Sequence, residues 1–114
     1  MPYDVFLPEF FKKIIKELKK KYPHVGEDLK TALRVLVNNP ELGRTLRGFG
    51  DVKKLRVQNS DVERGKSGGY RLIYLVDATC QKIIPLLMYS KSQKRDISRR
   101  ELKTLLAGLD KDLN

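Results

Sequence analysis

Apolar residues recur at helical spacing in two stretches of the first third of the chain. From Phe10 to Tyr22 they return at steps of three and four residues, and lysines cover the opposite side. Pro8 and Pro23 mark the two ends of this predicted helix, because proline suits a first helical turn and interrupts a later one. A second helix is expected from about residue 27 to residue 39, and the short turn between the two predicts an antiparallel helical hairpin.

The pattern changes to a two-residue period in the middle of the chain. Within Val52–Gln58, Leu55 and Val57 alternate with basic and polar residues, which predicts a strand with one basic face. The β-branched and aromatic run 70–76 and the apolar run 81–89 predict two more strands. Together the three strands predict an antiparallel meander, and a short apolar segment ahead of the first helix predicts one further short strand.

A last helix is expected to begin at Ser98. Ser98 and Glu101 have the spacing of a capping box, in which the two side chains satisfy each other's exposed backbone N–H groups. Its buried side would consist of four leucines at helical spacing: Leu102, Leu105, Leu106 and Leu109. This order of elements predicts an α+β fold, a small antiparallel sheet with an N-terminal helical hairpin and a C-terminal helix, all packed on one face of the sheet.

Length and composition favour one folded domain. A chain of 114 residues suits a single hydrophobic core, so we expect one domain over residues 1–114. The apolar fraction of 40% against 33% charged residues is sufficient for that core and argues against wholesale disorder.

The charge balance points to an anionic partner. Lys and Arg number 24 against 14 Asp and Glu, a formal net charge of +10. Nucleic acid is the leading partner because neutralising phosphates releases condensed counterions, and a membrane surface is the alternative. Against the membrane, no apolar run approaches the roughly 20 residues of a spanning helix, and the first residues lack the basic start of a signal peptide. We therefore expect a cytoplasmic protein.

Cysteine and histidine are too few for the usual metal chemistry. Cys80 and His24 are each the only residue of their kind, so an internal disulfide is impossible and a Cys/His metal site lacks ligands. We expect no metal and no cofactor.

Basic residues are brought together by the predicted sheet. Lys54 and Arg56 share a face of the first long strand, and Arg71 on the next strand lies within lateral reach if those strands pair. Lys91, with Lys94 and Arg95 in the following loop, leaves the sheet at one end. Cations opposite one another on a sheet repel unless an anion such as a phosphate lies between them. The alternative is a solvated basic surface, which is how we interpret the lysines of the first helix.

Three tyrosines lie on the predicted strands. Tyr70 and Tyr74 have the opposite parity to Arg71, so we expect them in the core. Tyr89 ends its strand beside Lys91, where it could reach solvent and stack on an unpaired base; packing in the core remains the alternative.

Standard catalytic sets are missing from the sequence. One histidine makes a Ser/His/Asp set implausible, and the glycine-rich segment 65–69 lacks the spacing of a phosphate loop, so it predicts a hairpin loop in which Lys66 could touch a phosphate. Cations and tyrosines still permit attack of an RNA 2′-hydroxyl on its neighbouring phosphate. Arginine suits charge stabilisation, and a lysine crowded by cations could act as the base.

Three short motifs together resemble the RelE/HigB toxins of type II toxin–antitoxin pairs: Lys54-Leu55-Arg56, Gly69-Tyr70-Arg71-Leu72-Ile73-Tyr74, and Tyr89-Ser90-Lys91 running into a capped helix. Segment 66–71 is most similar to the HigB-like branch. The resemblance implies a metal-independent, ribosome-dependent endoribonuclease that cleaves mRNA and is held inactive by a cognate antitoxin. It also implies that operator DNA is bound only by the toxin–antitoxin complex.

The same resemblance implies roles for individual residues. Lys54 would be the base or an electrostatic stabiliser, and the arginines Arg56, Arg71 and Arg95 would stabilise the phosphate. Lys91, with Arg95, would match the basic segment before the last helix of the family. Tyr89 would be a substitute for the RelE catalytic tyrosine, which has no match near Ile97 and Ser98. The lysines expected to contact RNA are Lys53, Lys66 and Lys94.

One further departure from the RelE pattern lies on the first long strand. Val52 stands where RelE has a second basic residue, and Lys53 lies on the other face. A gyrase-inhibiting toxin of the related ParE type and a non-catalytic nucleic-acid-binding module are the alternative functions. The nuclease hypothesis requires an accessible Arg71 guanidinium with its basic companions on the same side of the sheet.

Overall fold

The computed structural model describes residues 2–62, 69–93 and 96–113, with side chains as far as Leu109. Its elements follow the predicted order, with one additional two-residue strand between the second helix and the meander. Their bounds are β1 Asp4–Val5, α1 Glu9–Lys19, α2 Val25–Leu36, β2 Arg44–Thr45, β3 Val52–Val57, β4 Tyr70–Asp77, β5 Lys82–Ser90 and α3 Arg99–Leu113.

The strands form one sheet in the order β1-β5-β4-β3-β2. β3, β4 and β5 are the predicted antiparallel meander, whereas β1 pairs with β5 in parallel at the edge. The pairing of β4 with β5 is irregular between Ile73 and Tyr74. β4 is therefore the central strand, with a hydrogen-bonded neighbour on each side.

Helices cover both faces of the sheet. Leu72 and its alternate neighbours on β4 pack with residues of α1 and α2, whereas Ile73 packs with leucines of α3. Successive strand residues point to opposite faces, so α3 lies on the face opposite the hairpin. The prediction that all helices pack on one face is wrong, because β4 and β5 are apolar at both parities and need cover on both sides.

Local signals place the starts of α1 and α3 where they were expected, whereas α2 begins two residues earlier than the periodicity suggested. Pro8 precedes α1. At α3, the Glu101 N–H donates to Ser98 Oγ at 3.1 Å, and the Ser98 N–H donates to Glu101 Oε1 at 3.2 Å, so the predicted capping box is confirmed. Within the described ranges, no helix is long and apolar enough to cross a membrane.

Candidate nucleic-acid interface

The sheet register aligns three candidate side chains in a row across β3, β4 and β5. Arg56 pairs with Arg71, and Arg71 pairs with Tyr89. Residues directly opposite in an antiparallel pair share a face, with Cβ atoms about 4.5–5.5 Å apart. The expected lateral proximity of the two arginines is confirmed. Like charges opposite each other on a sheet repel, and a phosphate bound beside them would reduce that repulsion.

Burial separates these two arginines. Arg56 is exposed, whereas Arg71 is only 8% exposed, and its Nη1 donates to the carbonyl of Tyr70 at 3.2 Å. The expectation of an accessible Arg71 guanidinium is not met. The physical reason is its place on the central strand, on the same face as Ile73, over which leucines of α3 pack.

Asp96 connects Lys54 to the end of this row. Its Oδ1 lies 3.3 Å from the Lys54 ammonium and accepts a hydrogen bond from the Tyr89 hydroxyl, also at 3.3 Å. The backbone N–H of Ile97 donates to the same oxygen at 2.8 Å. One carboxylate thus contacts side chains from two strands directly ahead of α3. Sequence reasoning missed Asp96, and its only signal is an acid next to the capping box in an otherwise basic segment.

Burial determines the protonation of Tyr89. The side chain is 5% exposed, so the expectation that it reaches solvent is wrong, because the leucines of α3 pack over this face. Burial, followed by the nearby charge of Asp96, raises the pKa of Tyr89 to about 12. At neutral pH its hydroxyl is therefore protonated and can donate a hydrogen bond, but it cannot act as a base.

Asp96 is ionised in the same environment. Burial alone would raise the pKa of its carboxyl group. The hydrogen bond from Ile97 and the contact with Lys54 outweigh burial and hold this pKa below its ordinary value of 3.8. The Lys54 ammonium therefore faces a carboxylate, whereas the sequence suggested a lysine crowded only by cations.

Lys53 is not brought to this face. It neighbours Lys54 on β3 and therefore points to the side of α1 and α2, where it is only 6% exposed. Its ammonium donates to Thr45 Oγ1 at 2.8 Å and lies 3.6 Å from Glu41 Oε1. These contacts satisfy the ammonium of a buried lysine. Because Lys53 lies on the opposite face of the sheet, it is not close to the other candidate RNA-binding residues.

The remaining candidates lie at the end of the sheet where β5 finishes. Lys91 is exposed, and its backbone N–H donates to the carbonyl of Gly69 at 3.1 Å, next to the start of β4. Lys66, Lys94 and Arg95 lie outside the described residues, as does most of the glycine-rich loop. Lys91 therefore extends the cationic surface beyond the row of Arg56 and Arg71.

Arg99 adds a further cation that sequence reasoning did not single out. Its guanidinium carbon lies 4.8 Å from the centre of the Phe49 ring, and its Nη1 donates to the carbonyl of Arg47 at 3.4 Å. The turn beneath it needs Gly48, whose φ of 87° is unfavourable for other residues. A shallow cavity of about 140 Å³ lies here and includes Asp96 in its lining.

These features define a small basic α+β domain in which one sheet face carries cations and a protonated tyrosine beside the start of the last helix. The chain has a RelE-like fold. Its structure is similar to that of the E. coli toxin RelE, solved in the free state as a double arginine-to-alanine mutant, with a TM-score of 0.58 and 26% sequence identity. The match covers 83% of this chain and 90% of that chain. A scan against family models found none that matches.

Proposed function

We propose that this chain is the toxin of a type II toxin–antitoxin pair and that it inhibits translation by cleaving mRNA on the ribosome. The observations that carry the proposal are the exposed Arg56 and the neighbouring Lys54 on one face of a RelE-like sheet. Arg71 is 8% exposed and does not meet the accessibility that the sequence hypothesis required, so the proposal assigns contact with the phosphate to Arg56 and gives Arg71 only a supporting positive charge. The similarity to the E. coli toxin supports the toxin role. The HigB-like branch remains part of this proposal and rests on segment 66–71 of the sequence.

The reaction needs no metal ion. The RNA 2′-oxygen attacks the adjacent phosphorus and loses its proton to a base. The bond from phosphorus to the 5′-oxygen then breaks, that oxygen takes up a proton, and a cyclic phosphate remains. The attack concentrates negative charge on the phosphate oxygens, for which the site has cations, and the leaving oxygen takes its proton from a protonated side chain. The proton of the 2′-hydroxyl passes to solvent water, which serves as the base.

Each part of the site suits one of these tasks. Arg56 is exposed and would contact the phosphate. The backbone of Arg71 lies one strand spacing, about 4.8 Å, from that of Arg56, so its guanidinium would add positive charge on the same face. Tyr89 is protonated because burial raises its pKa to about 12; its ring is buried, but its hydroxyl contacts the exposed Asp96, and at this point it would donate a proton to the leaving oxygen. Lys54 adds a further positive charge at the same face.

Translation in vitro tests this function. The wild-type protein should arrest translation of a defined mRNA, and primer extension should map cuts that require the ribosome. Arg56→Gln should lower the cleavage rate about 100-fold or more, the order expected when a charge that stabilises the transition state is removed. Lys13→Gln removes one exposed charge from the outer side of α1 and is the matched control, with an unchanged rate.

Intact mRNA with normal translation would contradict the proposal. A DNA supercoiling assay with gyrase should show no effect; inhibition would instead favour the ParE-like alternative. RNA binding without cuts would favour a non-catalytic module.

The proposed partner is a cognate antitoxin with complementary charge. A chain of net charge +10 that acts on the ribosome needs a neutraliser, and acidic residues opposite its cations would give both specificity and fast association. We propose that the complex, and not the free toxin, binds operator DNA in the cytoplasm. Co-expression with the product of the adjacent reading frame should restore growth and yield a complex that copurifies.

A further inference from the structure

Asp96 joins elements that are distant in sequence. Its Oδ1 contacts Lys54 on β3, Tyr89 on β5 and the backbone N–H of Ile97 at the entry to α3, at 3.3, 3.3 and 2.8 Å. The backbone on its C-terminal side is held by the capping box of Ser98 and Glu101. The backbone at the start of α3 therefore fixes the position of the carboxylate, and the carboxylate contacts two candidate reactive groups, the Lys54 ammonium and the Tyr89 hydroxyl.

The two groups that Asp96 contacts have different chemical tasks. Lys54 provides positive charge and Tyr89 provides a proton, and they belong to strands that are not direct neighbours in the sheet. Lysine has a long flexible side chain, so an ammonium without a fixed partner samples many positions. Because the Asp96 carboxylate contacts both groups, it restricts the positions of the Lys54 ammonium and fixes its distance from the Tyr89 hydroxyl.

We propose that Asp96 is a positioning residue of the cleavage site, which holds the Lys54 ammonium and the Tyr89 hydroxyl so that both face the same phosphate. This role rests on the proposed function and adds to it a residue that does not itself touch RNA. The Asp96 side chain is 61% exposed, so its ion pair stabilises the fold little, and its effect is on geometry.

Single-turnover cleavage on programmed ribosomes tests the role. Asp96→Asn keeps an oxygen that can accept from Ile97 and Tyr89 but removes the charge that holds Lys54. The rate constant at saturating toxin should fall about 10- to 100-fold, the order that misplacement of a catalytic group produces. The toxin concentration for half-maximal rate should change less than about twofold, because the surface that binds RNA is intact.

A matched carboxylate serves as the control. Asp51→Asn removes one exposed negative charge from the turn before β3, and the rate constant should stay at the wild-type value. A loss in Asp96→Asn that appears only in the half-maximal concentration, or an equal loss in Asp51→Asn, would overturn the proposal.

A second measurement does not depend on cleavage. The carboxyl-carbon NMR signal of Asp96 should titrate below the ordinary value of 3.8, because Ile97 and Lys54 hold its pKa down despite burial. Lys54→Gln should raise the midpoint, whereas Arg56→Gln, on the same face of the same strand, should leave it unchanged. No rise in Lys54→Gln would overturn the positioning role even if the wild-type protein cuts mRNA. If the rise occurs but the wild-type protein cuts no mRNA, the proposed function fails and the contact is structural.

Discussion

Two buried tyrosines on β4 differ in one respect, their hydroxyl partners. Tyr70 and Tyr74 are both fully buried. The Tyr74 hydroxyl accepts from the N–H of Gly43 at 2.8 Å and donates to the carbonyl of Pro40 at 3.0 Å. The Tyr70 hydroxyl has no hydrogen-bond partner among the residues that the structure describes. Their parity on the strand was enough to predict that both point inward, but it contained no information about partners.

Removal of each hydroxyl should therefore have different costs. Tyr74→Phe leaves the N–H of Gly43 without its partner, so the free energy of unfolding should fall by about 1–3 kcal/mol. Tyr70→Phe removes a buried hydroxyl that makes no such bond, and the stability should stay the same or rise. Urea unfolding of both variants measures the difference. Equal losses would show that the hydroxyl of Tyr70 is bonded in solution.

The candidate site was predictable from sequence only in part. Strand parity placed Lys54, Arg56 and Arg71 on one face, and the register confirms it. The burial of Arg71 and the contacts of Asp96 were not predictable, because both depend on packing between elements that are far apart in the chain, which no local pattern encodes.

At the scale of whole elements, periodicity predicted the order of helices and strands and the capping box predicted the start of α3. The face on which α3 packs was predicted wrongly. Apolar residues at both parities of β4 and β5 were visible in the sequence, and they are typical of strands buried on both sides. The two-residue β2 is too short to produce a pattern of its own.

The loop after β3 is fastened to the start of α2 by acidic side chains. His24 Nδ1 lies 2.6 Å from Asp61 Oδ1, and the His24 backbone N–H donates to Asp61 Oδ2 at 2.8 Å. Asp28 accepts from both the N–H and the hydroxyl of Ser60 at 3.0 Å. The hydrogen bond with Asp61 raises the pKa of His24 and lowers that of Asp61.

This contact predicts a pH window for the loop. His24 gains a partner when charged, so its contribution is fully present below its ordinary pKa of 6.5 and is lost as pH rises through the higher folded value. Asp61 contributes above its ordinary pKa of 3.8, and the contribution is lost as pH falls through the lower folded value. The protection of the amides of residues 59–62, measured relative to their intrinsic exchange rates, should therefore be highest between about pH 3.8 and 6.5.

Asp61→Asn tests this window. The NMR titration midpoint of His24 should drop toward its ordinary value, and the slow exchange of the loop should disappear. Asp4→Asn, an exposed carboxylate on β1, is the matched control and should leave both unchanged. An unchanged midpoint in Asp61→Asn would show that the pair does not form in solution.

At the scale of the whole molecule, a net charge of +10 can attract RNA to the entire surface or mainly to one face. Each lysine of α1 adds as much to the net charge as each cation of the sheet face. Only the sheet face, however, has two arginines directly opposite each other, Arg56 and Arg71. Binding to single-stranded RNA weakens with salt in proportion to the phosphates neutralised, with a slope of about −0.7 per contact. A contact surface and a solvated surface therefore predict different slopes.

Fluorescence anisotropy of a short RNA over a range of KCl concentrations measures this slope. Arg56→Gln and Lys91→Gln should each make it shallower by about 0.7, because each removes one phosphate contact at the proposed interface. Lys13→Gln removes the same charge from the outer side of α1, where no phosphate contact is proposed, and should change the slope by much less than about 0.7. An equal change of slope in all three variants would mean that RNA samples the whole basic surface, and that the sheet face has no special part in binding it.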